Sequence, residues 1–227
     1  MSETRNATVY TAYLAFKATE NFSVLPEEER QAMAQEAEAV LETGKENEVT
    51  TRGVYLTTGF RADTDFMLWW IAPSPQAIQA GLRLLNRTRL GRRIKASWSF
   101  MGLVRPAEFH RDHSPAFLRG EPPKGTICVY PFTRTPEWYL LPGEKRRQLL
   151  TEHGGLGAGF DDVLTNTTMA FGLGDDEWML AFEADELGRI VDMVRKLREA
   201  EARLYTKRET PFISGVRMSI TEVIESL

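Results

Sequence analysis

The sequence predicts an α+β chain made of two tandem ferredoxin-like repeats, and three observations lead to that class. Over residues 1–104, segments with strand alternation and segments with helical spacing follow one another as strand, helix, strand, strand, helix, strand. Leu25-Pro26-Glu27-Glu28 is echoed by Leu141-Pro142-Gly143-Glu144, and Asp65-Phe66-Met67-Leu68 by Glu177-Trp178-Met179-Leu180, in the same order and at nearly the same offset. Two ordered echoes inside one element pattern mark an internal duplication. Finally, 227 residues with 42% hydrophobic composition bury a substantial core, as one large domain or two small ones. Two such units are expected to set their sheets side by side, with helices outside and a protected pocket inside.

Thr8 to Lys17, rich in Val, Tyr and Phe, reads as the first strand. Leu25-Pro26-Glu27-Glu28 opens an Ala/Glu/Gln-rich helix that runs to about Leu41 and ends before Gly44. Strands are expected at Val49 to Thr58 and Asp65 to Ile71, joined through Gly59, Arg61 and Asp63. Ser74-Pro75 caps a helix with Ile78, Leu82 and Leu85 on one face; Gly91 ends it, and Ile94 to Val104 supplies the fourth strand.

In the second half a strand at Ile127 to Phe132 precedes the Pro142 helix. A further helix spans Glu186 to Arg198, with Ile190, Met193, Val194 and Leu197 on its inner face. The domain division read from this is 1–104, a linker loop at 105–124, and 125–227. The linker holds two of the three histidines, His110 and His113. Their spacing fits a metal pair, but no Cys is near and Asp112 is the only adjacent carboxylate, so exposed loop histidines are the simpler reading.

Composition excludes several classes. A formal charge of -4 without a basic stripe argues against a nucleic-acid partner. The single cysteine, Cys128, rules out an intramolecular disulfide framework and reads as a small buried hydrophobe in a protein of the reducing cytoplasm. The N-terminal MSETRNATVY has no apolar signal core, and no run approaches the roughly 18 apolar residues of a membrane span, so a cytoplasmic location with no membrane partner is expected.

Chemistry concentrates between Cys128 and His153. Cys-Val-Tyr-Pro-Phe alternates as a strand, which turns Tyr130 away from Val129. Pro142 and Glu144 suit the first turn of the next helix. Leu149 and His153, four apart, share a face, and Gly154-Gly155 are expected to stop the helix just after the imidazole. On position alone, His153 is as well explained by a C-terminal charge favoured by the helix dipole, and Tyr130 by the core.

Several segments together resemble the chlorite dismutase superfamily, and within it the coproheme decarboxylases of actinobacterial type. They are Leu56 to Pro73 (LTTGFRADTDFMLWWIAP), Met101 to Glu108 (MGLVRPAE), His113 to Leu118 (HSPAFL) and Val129 to Leu141 (VYPFTRTPEWYLL). Glu152-His153-Gly154, Asn166 to Phe171 (NTTMAF), Glu177 to Asp185 (EWMLAFEAD) and Thr210-Pro211-Phe212 continue the match through almost the whole chain. The resemblance implies a dimeric α+β barrel within one chain, assembled as a homopentamer. It also implies His153 as proximal ligand to a porphyrin iron, Tyr130 as a tyrosine that becomes a radical, and His113 as distal base. Arg134 is similar to a residue that pairs with a porphyrin propionate, Trp138 to a tryptophan beside the pocket, and Trp178 to one on the proximal side.

The implied reaction is the hydrogen peroxide-dependent conversion of iron coproporphyrin III (coproheme), both substrate and cofactor, to haem b by two oxidative decarboxylations. Each residue type suits its part. Neutral imidazole is a natural axial ligand, a histidine with a pKa near ~6.5 accepts a proton from peroxide, and arginine holds a carboxylate by charge-assisted hydrogen bonds. Chlorite-decomposing relatives supply a distal arginine after the proximal histidine, whereas residues 154–178 contain no Arg or Lys. The chain departs from the common pattern of the decarboxylases at His110, Ala158 and Val216, which bear on propionate anchoring. Set beside this reading are a haem-binding or haem-delivery protein without turnover and a chlorite dismutase-like haem enzyme.

Overall fold

The computed structural model describes residues 8–43, 48–105 and 114–227. The strands are β1 (Val9–Ala18), β2 (Thr50–Leu56), β3 (Phe66–Ala72), β4 (Ile94–Val104), β5 (Thr126–Arg134), β6 (Leu164–Met169), β7 (Trp178–Ala184), β8 (Thr206–Arg208) and β9 (Ile213–Met218). The helices are α1 (Glu27–Thr43), α2 (Pro75–Leu85), α3 (Pro136–Leu140), α4 (Gly143–Gly157), α5 (Leu187–Leu197) and α6 (Ile220–Ser226). The chain divides into two compact units, one of Met1–Ser114 with Ile213–Leu227, the other of Pro115–Phe212.

In the first unit the antiparallel order is β4-β1-β3-β2-β9, whose first four strands are those of a ferredoxin-like sheet. Alternate residues of β1 and β3, among them Leu14, Phe16, Leu68 and Trp70, meet Met33 and Ala37 of α1, Ile78 and Leu85 of α2, and Val223 and Ile224 of α6 in one apolar cluster. Ser74 caps α2 by accepting from the Ala77 N–H, with Pro75 in the first turn, as expected. The helix ends earlier than the glycine signal implied, at Leu85. Asn86 is its C-cap, and Gly91 instead packs where a Cβ would strike the Leu85 carbonyl. Asp65 ties β1 to β3 by accepting from Lys17 Nζ at 2.7 Å and the Ala18 N–H at 2.8 Å. In the β2–β3 connection Arg61 forks onto Asp63 through Nε at 2.8 Å and Nη2 at 2.6 Å, and Trp98 Nε1 adds a third donor at 2.8 Å.

The second unit repeats the order with its own strands, β8-β5-β7-β6, all antiparallel. Here α5 lays Ile190 and Met193 on Cys128, Tyr130 and Phe182, with Val194 and Leu197 at the edge of the cluster, the face foreseen from its spacing. The described part of the expected linker is packed: Ala116 and Phe117 are buried, and the Phe117 N–H donates to Asn166 Oδ1 at 3.0 Å. His110 and His113 lie outside the described residues. Helix α4 corrects one expectation, since it runs through Gly154 and Gly155 to Gly157. Intrahelical bonding outweighs glycine's intrinsic penalty of about 1 kcal/mol per residue here. A Cβ at Gly155 would meet nothing within 4 Å. Gly155→Ala is therefore expected to raise the stability of the porphyrin-free chain by up to about 1 kcal/mol in chemical denaturation.

The Arg61 hydrogen bonds hold the Asp63 carboxyl at about 2, below its ordinary 3.8. The depressed value means that its stabilising contribution is complete above the ordinary pKa and disappears as pH falls through about 2. A carboxyl NMR titration should show this group protonating only near pH 2, and Arg61→Gln should return it toward 3.8.

Candidate active site

Strand β5 alternates, so Tyr130, Phe132 and Arg134 project from the same face, the one that carries α5. Its partner β7 presents Trp178, Leu180 and Phe182 in register, with Phe132 opposite Trp178, Tyr130 opposite Leu180 and Cys128 opposite Phe182. Thr167 of β6, opposite Leu180, extends the row. Above this floor Leu149, the one buried residue of α4, packs with Trp138 and Ala202. One turn further along α4, His153 comes to the same cavity.

That cavity holds about 350 Å³, within the range of about 300–1,000 Å³ usual for ligand pockets. It brings together five of the residues singled out in the sequence: Tyr130, Arg134, Trp138, His153 and Trp178. All its lining residues belong to the second unit, so it lies between one sheet and that sheet's own helices rather than in a pocket enclosed by two sheets.

Each polar group has a distinct setting. The Tyr130 ring, 5% exposed, stands 4.4 Å from Phe212 and 5.8 Å from Phe182, centroid to centroid. Burial pushes its phenol well above the ordinary tyrosine range; the charges of Cys128 and Glu209 add to the rise, and Arg198 and Arg203 oppose it. Arg134 lies over the Trp138 ring at 4.1 Å and over Phe132 at 4.6 Å, and Nη1 donates to the Ala202 carbonyl at 2.8 Å. No carboxylate among the described residues is within ion-pair distance of it, so the cation remains available to an anion. The Arg134 backbone N–H donates to Glu177 Oε2 at 2.8 Å, which fixes the strand end that aims the side chain. Desolvation and the nearby Arg134 charge hold the His153 imidazole below its usual pKa, so near neutrality it is uncharged with a free ring lone pair.

Arg198, Arg203 and Glu209 complete the wall, and sequence reasoning passed over them. Glu209 Oε2 accepts from Arg198 Nη1 at 2.9 Å and Oε1 from Arg203 Nη1 at 2.7 Å. Arg198 follows a helix that was read correctly, but nothing local says that Glu209 folds back onto it. Three arginines against one glutamate leave an excess of positive charge in a largely apolar cavity, a setting that favours an anionic ligand with a broad apolar body. Among the described residues no group of three or more His, Cys, Asp or Glu is placed to hold a metal ion. A metal at His153 must therefore bring most of its own ligands, as the iron of a tetrapyrrole does, and the residues present fit such a group.

The chlorite dismutase model matches residues 30–218, and the chain belongs to that family. It is 48% identical over 219 residues to the coproheme decarboxylase of Mycolicibacterium smegmatis, covering 95% of this chain and 94% of that protein. The coproheme decarboxylase of Staphylococcus saprophyticus is 25% identical over 194 residues, 77% of each chain. Among solved structures, a mutant chlorite dismutase from Candidatus Nitrospira defluvii superposes with a TM-score of 0.84 at 22% identity, over 96% of this chain and 94% of that one. The same organism's chlorite dismutase in complex with imidazole gives 0.83, also at 22% identity and over the same shares. These likenesses show the α+β fold foreseen from the duplication.

The raised Tyr130 pKa has a measurable consequence. Above pH about 10 an unfolded chain releases this phenol proton while the folded chain keeps it, so stability falls as pH rises through that range. In an ultraviolet titration Tyr130→Phe is expected to remove one late-ionising tyrosine and no early one.

Proposed function

We propose that this chain is a coproheme decarboxylase, an enzyme of haem biosynthesis that converts iron coproporphyrin III to haem b with hydrogen peroxide as oxidant. The observation that carries the reading is the meeting of a neutral imidazole, a buried neutral phenol and an arginine with no ion pair among the described residues on the walls of one cavity. The identity of 48% across nearly the whole length of a coproheme decarboxylase supports it.

In this reading His153 holds the iron, and Trp138 and Trp178 wall the ring. Arg134 pairs with a propionate carboxylate and fixes the reacting carbon relative to Tyr130. When bound, the iron tetrapyrrole supplies the two-electron oxidation by peroxide that each decarboxylation needs. Tyr130 starts protonated, gives up one electron together with its phenolic proton, and recovers both as a hydrogen atom taken from the propionate side chain. A second electron and carbon dioxide then leave, and a vinyl group remains. One propionate, one hydrogen peroxide and one proton thus yield one vinyl group, one carbon dioxide and two waters. His113, outside the described residues, is the proposed acceptor of the peroxide proton. Burial of Tyr130 beside Phe212 and Phe182 keeps bulk water from quenching the radical.

The proposed location is the cytoplasm, and the proposed assembly the homopentamer that the family resemblance implies. No helix among the described residues is long and apolar enough to cross a membrane.

Peroxide titration of the coproheme-loaded chain, followed by mass spectrometry, is expected to show two successive losses of a carboxyl group; porphyrin that binds and only bleaches would point to a carrier. Tyr130→Phe should retain the coproheme absorption band and lose at least ~100-fold in turnover, a scale comparable to removing a proton-transfer group. Arg134→Ala should weaken coproheme binding at least tenfold while leaving binding of its tetramethyl ester nearly unchanged.

A further inference from the structure

We infer that Tyr139 is a second oxidisable tyrosine, connected to the cavity through Trp178 and paired with Glu177 as the acceptor of its proton. The inference rests on the decarboxylase reading for its oxidant and extends it to a residue outside the cavity wall.

Trp178 lines the cavity. Phe171 packs edge-on against it with centroids 5.4 Å apart, and Tyr139 meets Phe171, again edge-on, at 6.1 Å. The three rings form a continuous path from the cavity wall to Tyr139, which is 38% exposed. The Tyr139 hydroxyl donates to Glu177 Oε2 at 2.6 Å. Glu177 is itself held in place, since the same carboxylate oxygen accepts the Arg134 backbone N–H.

This arrangement has what a proton-coupled oxidation requires. A phenol that loses an electron becomes strongly acidic, and a carboxylate already in a short hydrogen bond receives the proton without rearrangement. Tyr130 is set differently, buried among aromatic rings. The ordinary tyrosine pKa is raised to about 12 at Tyr139 by partial burial and by the Glu177 hydrogen bond, so the phenol is protonated in the resting chain.

The electron count closes. Hydrogen peroxide, reduced to water at the site, is the oxidant. Trp178 gives up one electron and regains it from Tyr139, and the Tyr139 Oη–H proton passes to Glu177 Oε2. A one-electron reductant such as ascorbate or a thiol then restores Tyr139, and the proton returns from Glu177. Two such passages, with two protons from solvent, account for one peroxide reduced to two waters. Oxidising equivalents that find no propionate at Tyr130 thereby leave the cavity instead of destroying the porphyrin.

Pulse radiolysis of the porphyrin-free chain with azide radical, which oxidises tryptophan first, tests the path directly. Conversion of indolyl to phenoxyl absorbance is expected in the native chain, reduced in yield by both Tyr139→Phe and Trp178→Phe, and slowed several-fold by Glu177→Gln, which keeps an acceptor oxygen but no base. A yield unchanged by Tyr139→Phe overturns the inference. In the coproheme-loaded chain under excess peroxide, a nitroso spin trap should mark Tyr139. Tyr139→Phe should lose that adduct, form the same products and bleach after several-fold fewer turnovers; adducts mapping only elsewhere overturn the inference. Absence of decarboxylated product from the native chain overturns the decarboxylase reading alone, because the radiolysis does not depend on coproheme.

Discussion

The register of β5 against β7 is the constraint on which the cavity depends. Side chains alternate across a strand, so a slip of one residue would send Tyr130, Phe132 and Arg134 to the opposite face and dismantle the cavity floor. A buried polar pair between β6 and β7 also anchors the segment that leads into β5. Glu183 and Asn166, both fully buried, sit on the far face, where Asn166 Nδ2 donates to Glu183 Oε1 at 3.1 Å and to the Ala181 carbonyl at 3.2 Å. The Lys124 N–H and the Phe117 N–H also donate, to Glu183 Oε2 and Asn166 Oδ1 respectively. Sliding β5 would draw the Lys124 N–H, just before the strand, away from Glu183 Oε2 and take a charge-assisted hydrogen bond from a buried carboxylate. That tie helps to hold the register that aims the phenol without touching it.

Electrostatics and burial then divide labour among similar residues. Of the arginines on the wall, Arg198 and Arg203 are committed to Glu209, while Arg134 has only ring faces and a carbonyl. One site is therefore partly self-compensated, two cations sharing one carboxylate, and the other keeps its whole charge for a ligand. The two tyrosines divide in the same way. Tyr130 lies among aromatic rings that shield it from water, whereas Tyr139 stands at an edge with its proton already directed at a carboxylate.

Much of this was legible locally. The β4 bounds follow from the strand pattern, α2 starts where Ser74-Pro75 says it should, and the inner face of α5 follows from apolar spacing. Gly154-Gly155 misled, because glycine marks a helix end only where the backbone leaves the helix, and here the hydrogen-bond ladder continues. Alternation and the four-residue step from Leu149 to His153 pointed at the right faces.

The sequence by itself determined the duplicated α+β plan, because that is written in short-range periodicity, while the residues of the proposed chemistry were named by the family resemblance of longer segments, since position alone left their roles open. Only the tertiary structure decided that the cavity belongs to one unit, that Glu209 closes on Arg198 and Arg203, and that Phe171 joins Tyr139 to Trp178. Those relations join residues whose separation along the chain is unrelated to their distance in space. They are settled by which burials and charge pairings the packed chain satisfies together.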